Sequence, residues 1–272
     1  MALIPPFFID CVVAIGIDTE DNKKTWIATG FLYGHSSIKD KDGKQLYNVY
    51  LVTNRHVFEN LSSIYLRFNP QTDEQAKDYK VLLNDTTGKP TWFAHPNPDI
   101  DIAVIPINYS LLQKEAMQVA FFNDNIHSAN IDKMISLEIT EGDFAYVLGF
   151  PMGITGERRN AVIVRSGSIA RIRDVIAKAN NTFLVDAFIF PGNSGGPVIL
   201  KPEALSIQGT KGQDRAYLIG IVHSYLSYTD VAISRQTKKP RVIFEENSGL
   251  AAVHPVDYID EAINEAVKAK VN

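Results

Sequence analysis

Short runs of apolar and β-branched residues recur along this chain, separated by polar, turn-rich stretches. They occupy residues 11–17, 26–33, 47–53, 64–68, 102–107, 144–148, 161–164, 182–190, 197–200, 217–222 and 241–244. Runs of this length and make-up read as strands. Their regular recurrence predicts an all-β sandwich or barrel and argues against alternating β and α units. Polar loops are expected over 34–45, 201–215 and 227–240.

Two stretches break the β pattern. Residues 110–140 read as a connection between two β units, with a short helix over 111–119. Near the C-terminus, Val256, Ile259, Ile263 and Val267 recur on one helical face with Ala262 and Ala266 beside them. Asp257, Asp260 and Glu261 load the first turns and Lys268 and Lys270 the last, as the helix dipole favours. The spacing predicts a helix over 257–270 that docks on the β body.

Composition narrows the function. The 272 residues include 27 Lys and Arg against 31 Asp and Glu, a net charge of −4. Mild acidity argues against a nucleic-acid partner, which normally meets a basic stripe. One cysteine, Cys11, excludes an internal disulfide and reads as a core thiol. The start lacks a basic segment ahead of an apolar run, and no run approaches the length of a membrane span. These features predict a soluble, cytoplasmic protein with no membrane partner.

Three segments carry candidate chemistry. The first is an apolar strand that delivers His56 at its end. The second holds Asp99 and Asp101 at the start of an apolar run, where a carboxylate needs a partner. The third is Pro191-Gly192-Asn193-Ser194-Gly195-Gly196-Pro197, in which glycines around one serine allow a tight turn that aims successive N–H groups at one spot. A serine hydroxyl needs a base to take its proton, and the base needs an orienting acid. The remaining histidines, His35, His95, His127 and His254, show no metal-ligand spacing, so no metal and no cofactor is expected. The Gly-rich stretch 149–156 lacks the Lys-Ser/Thr of a phosphate loop.

With these residues in this order, the sequence resembles a chymotrypsin-fold serine protease, in particular the bacterial HtrA-like trypsin peptidases. The matching pieces are Thr29-Gly30-Phe31, LVTNRHV at 51–57, DIAVI at 101–105, VLGFPMG at 147–153, the run from 186 into GNSGGP at 192–197, LIGIV at 218–222 and GLAAV at 249–253. The likeness spans roughly residues 10–256. It implies two six-stranded antiparallel β-barrels with the active site between them: an N-terminal barrel and linker over 1–125, a C-terminal barrel over 126–255 and the helix over 256–272.

By the same resemblance, Ser194 is the nucleophile, His56 the general base and acid, and Asp101, followed by Ile-Ala, the orienting acid in preference to Asp99. Backbone N–H groups of the Gly192, Asn193 and Ser194 turn would form the oxyanion hole. Phe188 and Ile189, with His223, Ser224, Tyr225 and Leu226, would wall the primary pocket. No acidic residue sits at its base, so an apolar side chain before the scissile bond is expected, with His223 a wall residue and not a second base.

Two departures from the family matter. Asn193 replaces the aspartate that pairs with a freed N-terminal amine in animal digestive members, so no zymogen step of that kind is expected. Few residues follow the second barrel, so a PDZ domain like that of HtrA proteins is not expected after it. The implied activity is a serine endopeptidase acting on proteins or peptides. The alternatives are a peptide-binding β-barrel with little turnover and an esterase using the same three residues.

Overall fold

The computed structural model describes residues 4–21, 23–203 and 210–271. Strands make up most of the regular structure and are arranged in two units. The first contains β1 (Val12–Asp18), β2 (Lys24–Lys39), β3 (Gln45–Thr53), β4 (Ser63–Phe68), β5 (Lys77–Leu82), β6 (Phe93–Ala94), β7 (Ala103–Pro106) and β8 (Phe122–Asn123). Its sheet runs β5-β4-β1-β2-β3-β7-β6, with β8 added in parallel to β2.

The second unit contains β9 (Phe144–Gly149), β10 (Ile163–Arg171), β11 (Phe183–Asp186), β12 (Pro197–Leu200), β13 (Tyr217–Ile233) and β14 (Pro240–Pro255). These six close into an antiparallel barrel in the order β10-β11-β14-β13-β12-β9. A six-stranded barrel therefore forms in the second unit. The first unit differs from the expected six-stranded barrel: it is an eight-stranded sheet whose end strands β5 and β6 share no ladder. The connection between them folds back instead, with Thr91 N–H on the Leu83 carbonyl at 3.0 Å and the Thr91 hydroxyl on the Leu82 carbonyl at 2.7 Å.

The long apolar runs of the first unit have a simple cause. Successive side chains on a strand point to opposite faces, and here both faces are buried. Val13, Ile15, Leu32 and Leu51 fill the interior of the first unit. Their neighbours Val12, Ala14, Phe31, Tyr33, Tyr50 and Val52 face a second core, shared with Leu148, Phe150, Leu218 and Ile221 of the second unit. The two units are thus joined by a packed apolar layer. A third core fills the β9–β14 barrel, built on Val147, Ile169, Phe183, Val185, Val198 and Val253. Cys11 is fully buried in the shared layer.

Among the described residues, five short or moderate α-helices complete the fold: α1 (Pro6–Asp10), α2 (Tyr109–Lys114), α3 (Ile131–Ser136), α4 (Arg173–Ile176) and α5 (Asp257–Val271). The 111–119 expectation is met only by the shorter α2, capped by the Asn108 side chain on the Leu111 N–H. The C-terminal helix α5 turns back onto the shared layer. Val256, Ile259, Ala262, Ile263 and Ala266 are fully buried there, while Val267, expected on that face, is exposed.

Two expected loops are strand. Residues 34–39 continue β2, leaving a turn at Asp40 whose carboxylate accepts the N–H groups of Asp42 and Lys44. Residues 227–233 continue β13 and pair with β14 as a two-stranded arm, in register from Ser227↔Asn247 to Ile233↔Pro240. Its side chains are exposed on both faces, so it carries no core pattern that composition could reveal. The expected 201–215 loop lies partly outside the described residues. Among the described residues, no helix is long and apolar enough to cross a membrane.

Candidate active site

His56 stands on a short 3-10 turn, Arg55–Val57, directly after β3. The residues beside it hold the loop that carries Asp101. Asn54 Nδ2 donates to the Asp101 carbonyl at 2.8 Å. Arg55 Nη2 donates to the carbonyls of Asn97, Pro98 and Ile100 at 3.1, 3.2 and 2.9 Å. One tripeptide therefore positions the imidazole and fixes its acidic partner.

The result is a short contact between them. His56 Nδ1 lies 2.5 Å from Asp101 Oδ2, and the His56 backbone N–H donates to Asp101 Oδ1 at 3.0 Å. An ionised carboxylate only accepts, so Nδ1 carries the proton and Nε2 is left as the basic nitrogen. Asp99, the rival acid, makes no such contact; its N–H is held by Asn97 Oδ1.

The same Asp101 Oδ2 accepts a second imidazole N–H, from His223 Nδ1 at 3.0 Å. Burial pushes the Asp101 carboxyl upward, but the hydrogen bonds of His223 and His56, with the charge of His56, outweigh it and hold the group well below the ordinary carboxylate range. The bond to Asp101 raises the His56 pKa above its usual 6.5, against the opposing effect of burial.

A third histidine supports the backbone. His254 Nε2 accepts the Asp101 N–H at 3.2 Å, and its Nδ1 donates to the Asn181 carbonyl at 2.9 Å. Both nitrogens are used by a neutral ring, and burial pushes the His254 pKa down to about 4.

The Ser194 turn is built from glycines that nothing else could replace. Gly192 has φ +99°, and a Cβ there would run into the Phe150 carbonyl oxygen. Gly195 has φ +81°, and a Cβ added to it would collide with both the Thr29 carbonyl oxygen and Thr53 Oγ1. The Pro191 carbonyl accepts Met152 N–H at 2.6 Å. Since C=O and N–H of a trans peptide point opposite ways, the Gly192 N–H faces away from that loop. Among the described residues, no backbone acceptor takes the N–H of Gly192 or of Ser194.

Asn193 differs from these two. It is fully buried; its N–H goes to the Phe190 carbonyl at 2.9 Å and its Oδ1 accepts the Phe190 N–H at 3.0 Å. The expectation that counts Asn193 among the oxyanion donors is therefore corrected: this residue braces the turn from inside.

Ser194 and His56 line one cleft of about 290 Å³ with Ile189, Phe190, Pro191, His223, Ser224 and Tyr225. Of the expected wall residues, Phe188 and Leu226 lie outside this lining; both are exposed, and the Leu226 carbonyl is held by the Ser248 hydroxyl. Among the described residues the Ser194 hydroxyl makes no hydrogen bond to His56; such bonds are often long in unliganded sites. Another concavity, of about 350 Å³ between Phe144, Ser166, Asp186 and Lys201, has no histidine in its lining.

One further cluster was not visible in sequence spacing. His35 Nδ1 lies 3.5 Å from both Asp124 Oδ2 and Asp260 Oδ1, and the three groups stand close enough to share a metal ion. The carboxylates already accept from Ser36 and Tyr33, and Asp260, with Asp124, raises the His35 pKa against the opposing effect of burial.

Sequence reasoning singled out Thr29 only within a matching string. Its hydroxyl donates to the Gly192 carbonyl at 2.6 Å and accepts the Phe150 N–H at 3.0 Å, while its own N–H meets the Ser194 carbonyl at 3.0 Å. A buried threonine on a strand gives no local hint of such a role.

The chain is similar to a probable periplasmic serine endoprotease DegP-like protein of Chlamydia pneumoniae, with 28% identity over 150 residues. That stretch covers 55% of this chain and 24% of the relative, so this chain spans only a fraction of that protein's length. Residues 28–204, which hold His56, Asp101 and Ser194, match the trypsin-like peptidase domain. The chain belongs to the family of trypsin-like peptidase domains and is related to its HtrA members.

Proposed function

We propose that this protein is a serine endopeptidase in which Ser194 attacks a peptide carbonyl, His56 moves the proton and Asp101 orients His56. The observation that carries the reading is the 2.5 Å contact of His56 Nδ1 with Asp101 in a cleft that Ser194 shares. The bond leaves His56 Nε2 to take the Ser194 proton. The imidazolium then formed is stabilised by the Asp101 charge and returns its proton to the leaving amine. An acyl-enzyme on Ser194 results, and water resolves it by the reverse sequence.

The untaken N–H groups of Gly192 and Ser194 would receive the oxyanion. Such donors act strongly because they are fixed before charge develops. The cleft walls favour an apolar side chain before the scissile bond: Ile189, Phe190 and Pro191 line it, with no carboxylate among the lining residues.

A fluorophosphonate probe tests the nucleophile directly. Covalent labelling of the wild type, mapped to Ser194 and abolished in Ser194→Ala, is the expected result. Folded protein that stays unlabelled would instead favour a cleft that only holds extended peptides. Cut-site mapping in a proteome, with the Ser194→Ala control, then separates peptidase from esterase.

A further inference from the structure

We infer that His223 is a positioning residue of this active site: with His56 it forms a pair of imidazoles on one carboxylate oxygen, fixes the Asp101 side chain and tempers the basicity of His56. The inference rests on the peptidase reading above and adds a fourth residue to it.

The backbone places His223 for this task. β13 pairs with β12 as far as Ile221, and Val222 exchanges hydrogen bonds with the nucleophile turn, Gly195 N–H to Val222 O and Val222 N–H to Gly196 O, at 3.0 and 2.9 Å. The pairing of β13 with β14 then shifts between Val222 and Ser224. His223 is the extra residue in that irregularity, and such bulges re-aim a side chain. Here the ring is turned toward Asp101, a residue of the first unit, and not into the barrel.

Chemistry fixes its protonation pattern. Asp101 Oδ2 can only accept, so Nδ1–H of His223 donates across 3.0 Å. Oδ2 then holds two N–H donors, from His56 and His223, which fills both lone pairs of that oxygen. Oδ1 takes the His56 backbone N–H. The carboxylate has no freedom left to swing away from His56. The His223 ring lies against His254, with centroids 4.9 Å apart, so it is held from below by a ring that is itself locked between Asn181 and the Asp101 N–H.

Two consequences separate this role from that of a wall residue. First, each donor on Oδ2 draws charge from it and weakens its pull on the His56 proton. Removing His223 therefore raises the pKa of His56. Second, the ionisable groups facing His223 are Asp101 from the segment before β7, His56 from the turn after β3 and His254 from β14. Loss of the ring frees the carboxylate that these groups surround, which lowers turnover more than substrate binding.

The test uses the full chain and two independent readouts. In the Ser194→Ala background, which needs no activity, the His56 titration is followed by ¹H–¹⁵N NMR with and without His223→Ala. An upward shift of the His56 midpoint is expected; an unchanged midpoint overturns the inference, whether or not the protein cleaves peptides. In the Ser194-containing enzyme, His223→Ala lowers kcat by about ten- to a hundred-fold with little change in KM, as misplacement of a catalytic group does. His223→Asn keeps an N–H donor and restores most of kcat. Equal kcat and equal pH profiles in all three proteins would sink the proposal. Should His223→Ala fail to fold, His223→Ser carries the same two readouts. Failure of the wild type to label with fluorophosphonate would count against the peptidase reading alone, because the NMR readout stands without it.

Discussion

The Thr29 hydroxyl meets the carbonyl oxygen of Gly192 at 2.6 Å, tying β2 of the first unit to the turn that presents Ser194 in the second. The hydroxyl oxygen also accepts the Phe150 N–H, and Thr29 is fully buried. Thr29→Val keeps the shape and removes both bonds. It leaves a buried carbonyl and a buried N–H without partners, which costs about 2–4 kcal/mol. Urea denaturation should show that loss, and kcat should fall more than KM rises because the nucleophile turn loosens.

Gly192→Ala strikes the turn itself. Its φ of +99° and the close approach of the Phe150 carbonyl leave no room for a methyl group. The peptide must rotate, and the Gly192 N–H leaves its place. Loss of one oxyanion donor typically lowers the rate about 100- to 1,000-fold. Peptide hydrolysis should drop by that order while the overall fold, read by circular dichroism, persists.

Activity should fall on the acid side. In the proposed mechanism His56 must be neutral to take the Ser194 proton, and its bond to Asp101 raises its pKa above 6.5. The rate therefore declines as pH drops through a midpoint above that value. A kcat/KM profile in peptide hydrolysis with its acid midpoint well under 6.5 would contradict the Asp101 coupling.

His254 shapes stability in the same direction for a different reason. Its folded pKa is pushed down to about 4, while the unfolded ring titrates near 6.5. The unfolded chain thus binds the proton first, and stability falls between those two pH values. The gap corresponds to about 3 kcal/mol. His254→Gln should be less stable than wild type at about pH 7.5 but should lose less between about pH 7.5 and 4.5, as measured by urea midpoints.

The cleft should sort substrates by their apolar side chains. Ile189, Phe190, Pro191 and Tyr225 line it beside Ser194. A peptide library should give cuts after small or medium apolar residues. Dominance of Lys or Arg at that position would refute the assignment.

The sequence made some of this legible and hid the rest for physical reasons. Strand cores such as 102–107 and 217–222 show because both faces are buried, giving unbroken apolar runs. The arm formed by residues 227–233 and 240–247 does not show, because exposed strands carry mixed residues that read as loop. Likewise β6, only two residues long, leaves no periodicity. At the site, His56, Asp101 and Ser194 sit in conspicuous strings. Arg55, Thr29, His223 and His254 act through contacts with residues distant in the chain, such as Arg55 with Ile100 and His254 with Asp101. No local pattern encodes those. The choice between Asp99 and Asp101 needed a family pattern, because both open the same apolar run.

The return of α5 to the layer between the units has a temporal side. Ribosomes deliver Phe31, Tyr33, Tyr50 and Val104 long before Ile259 and Ile263, the side chains that join them in one apolar layer. A nascent chain therefore carries an uncovered oily face until this helix emerges, and a chain stalled before α5 would be a client for chaperones.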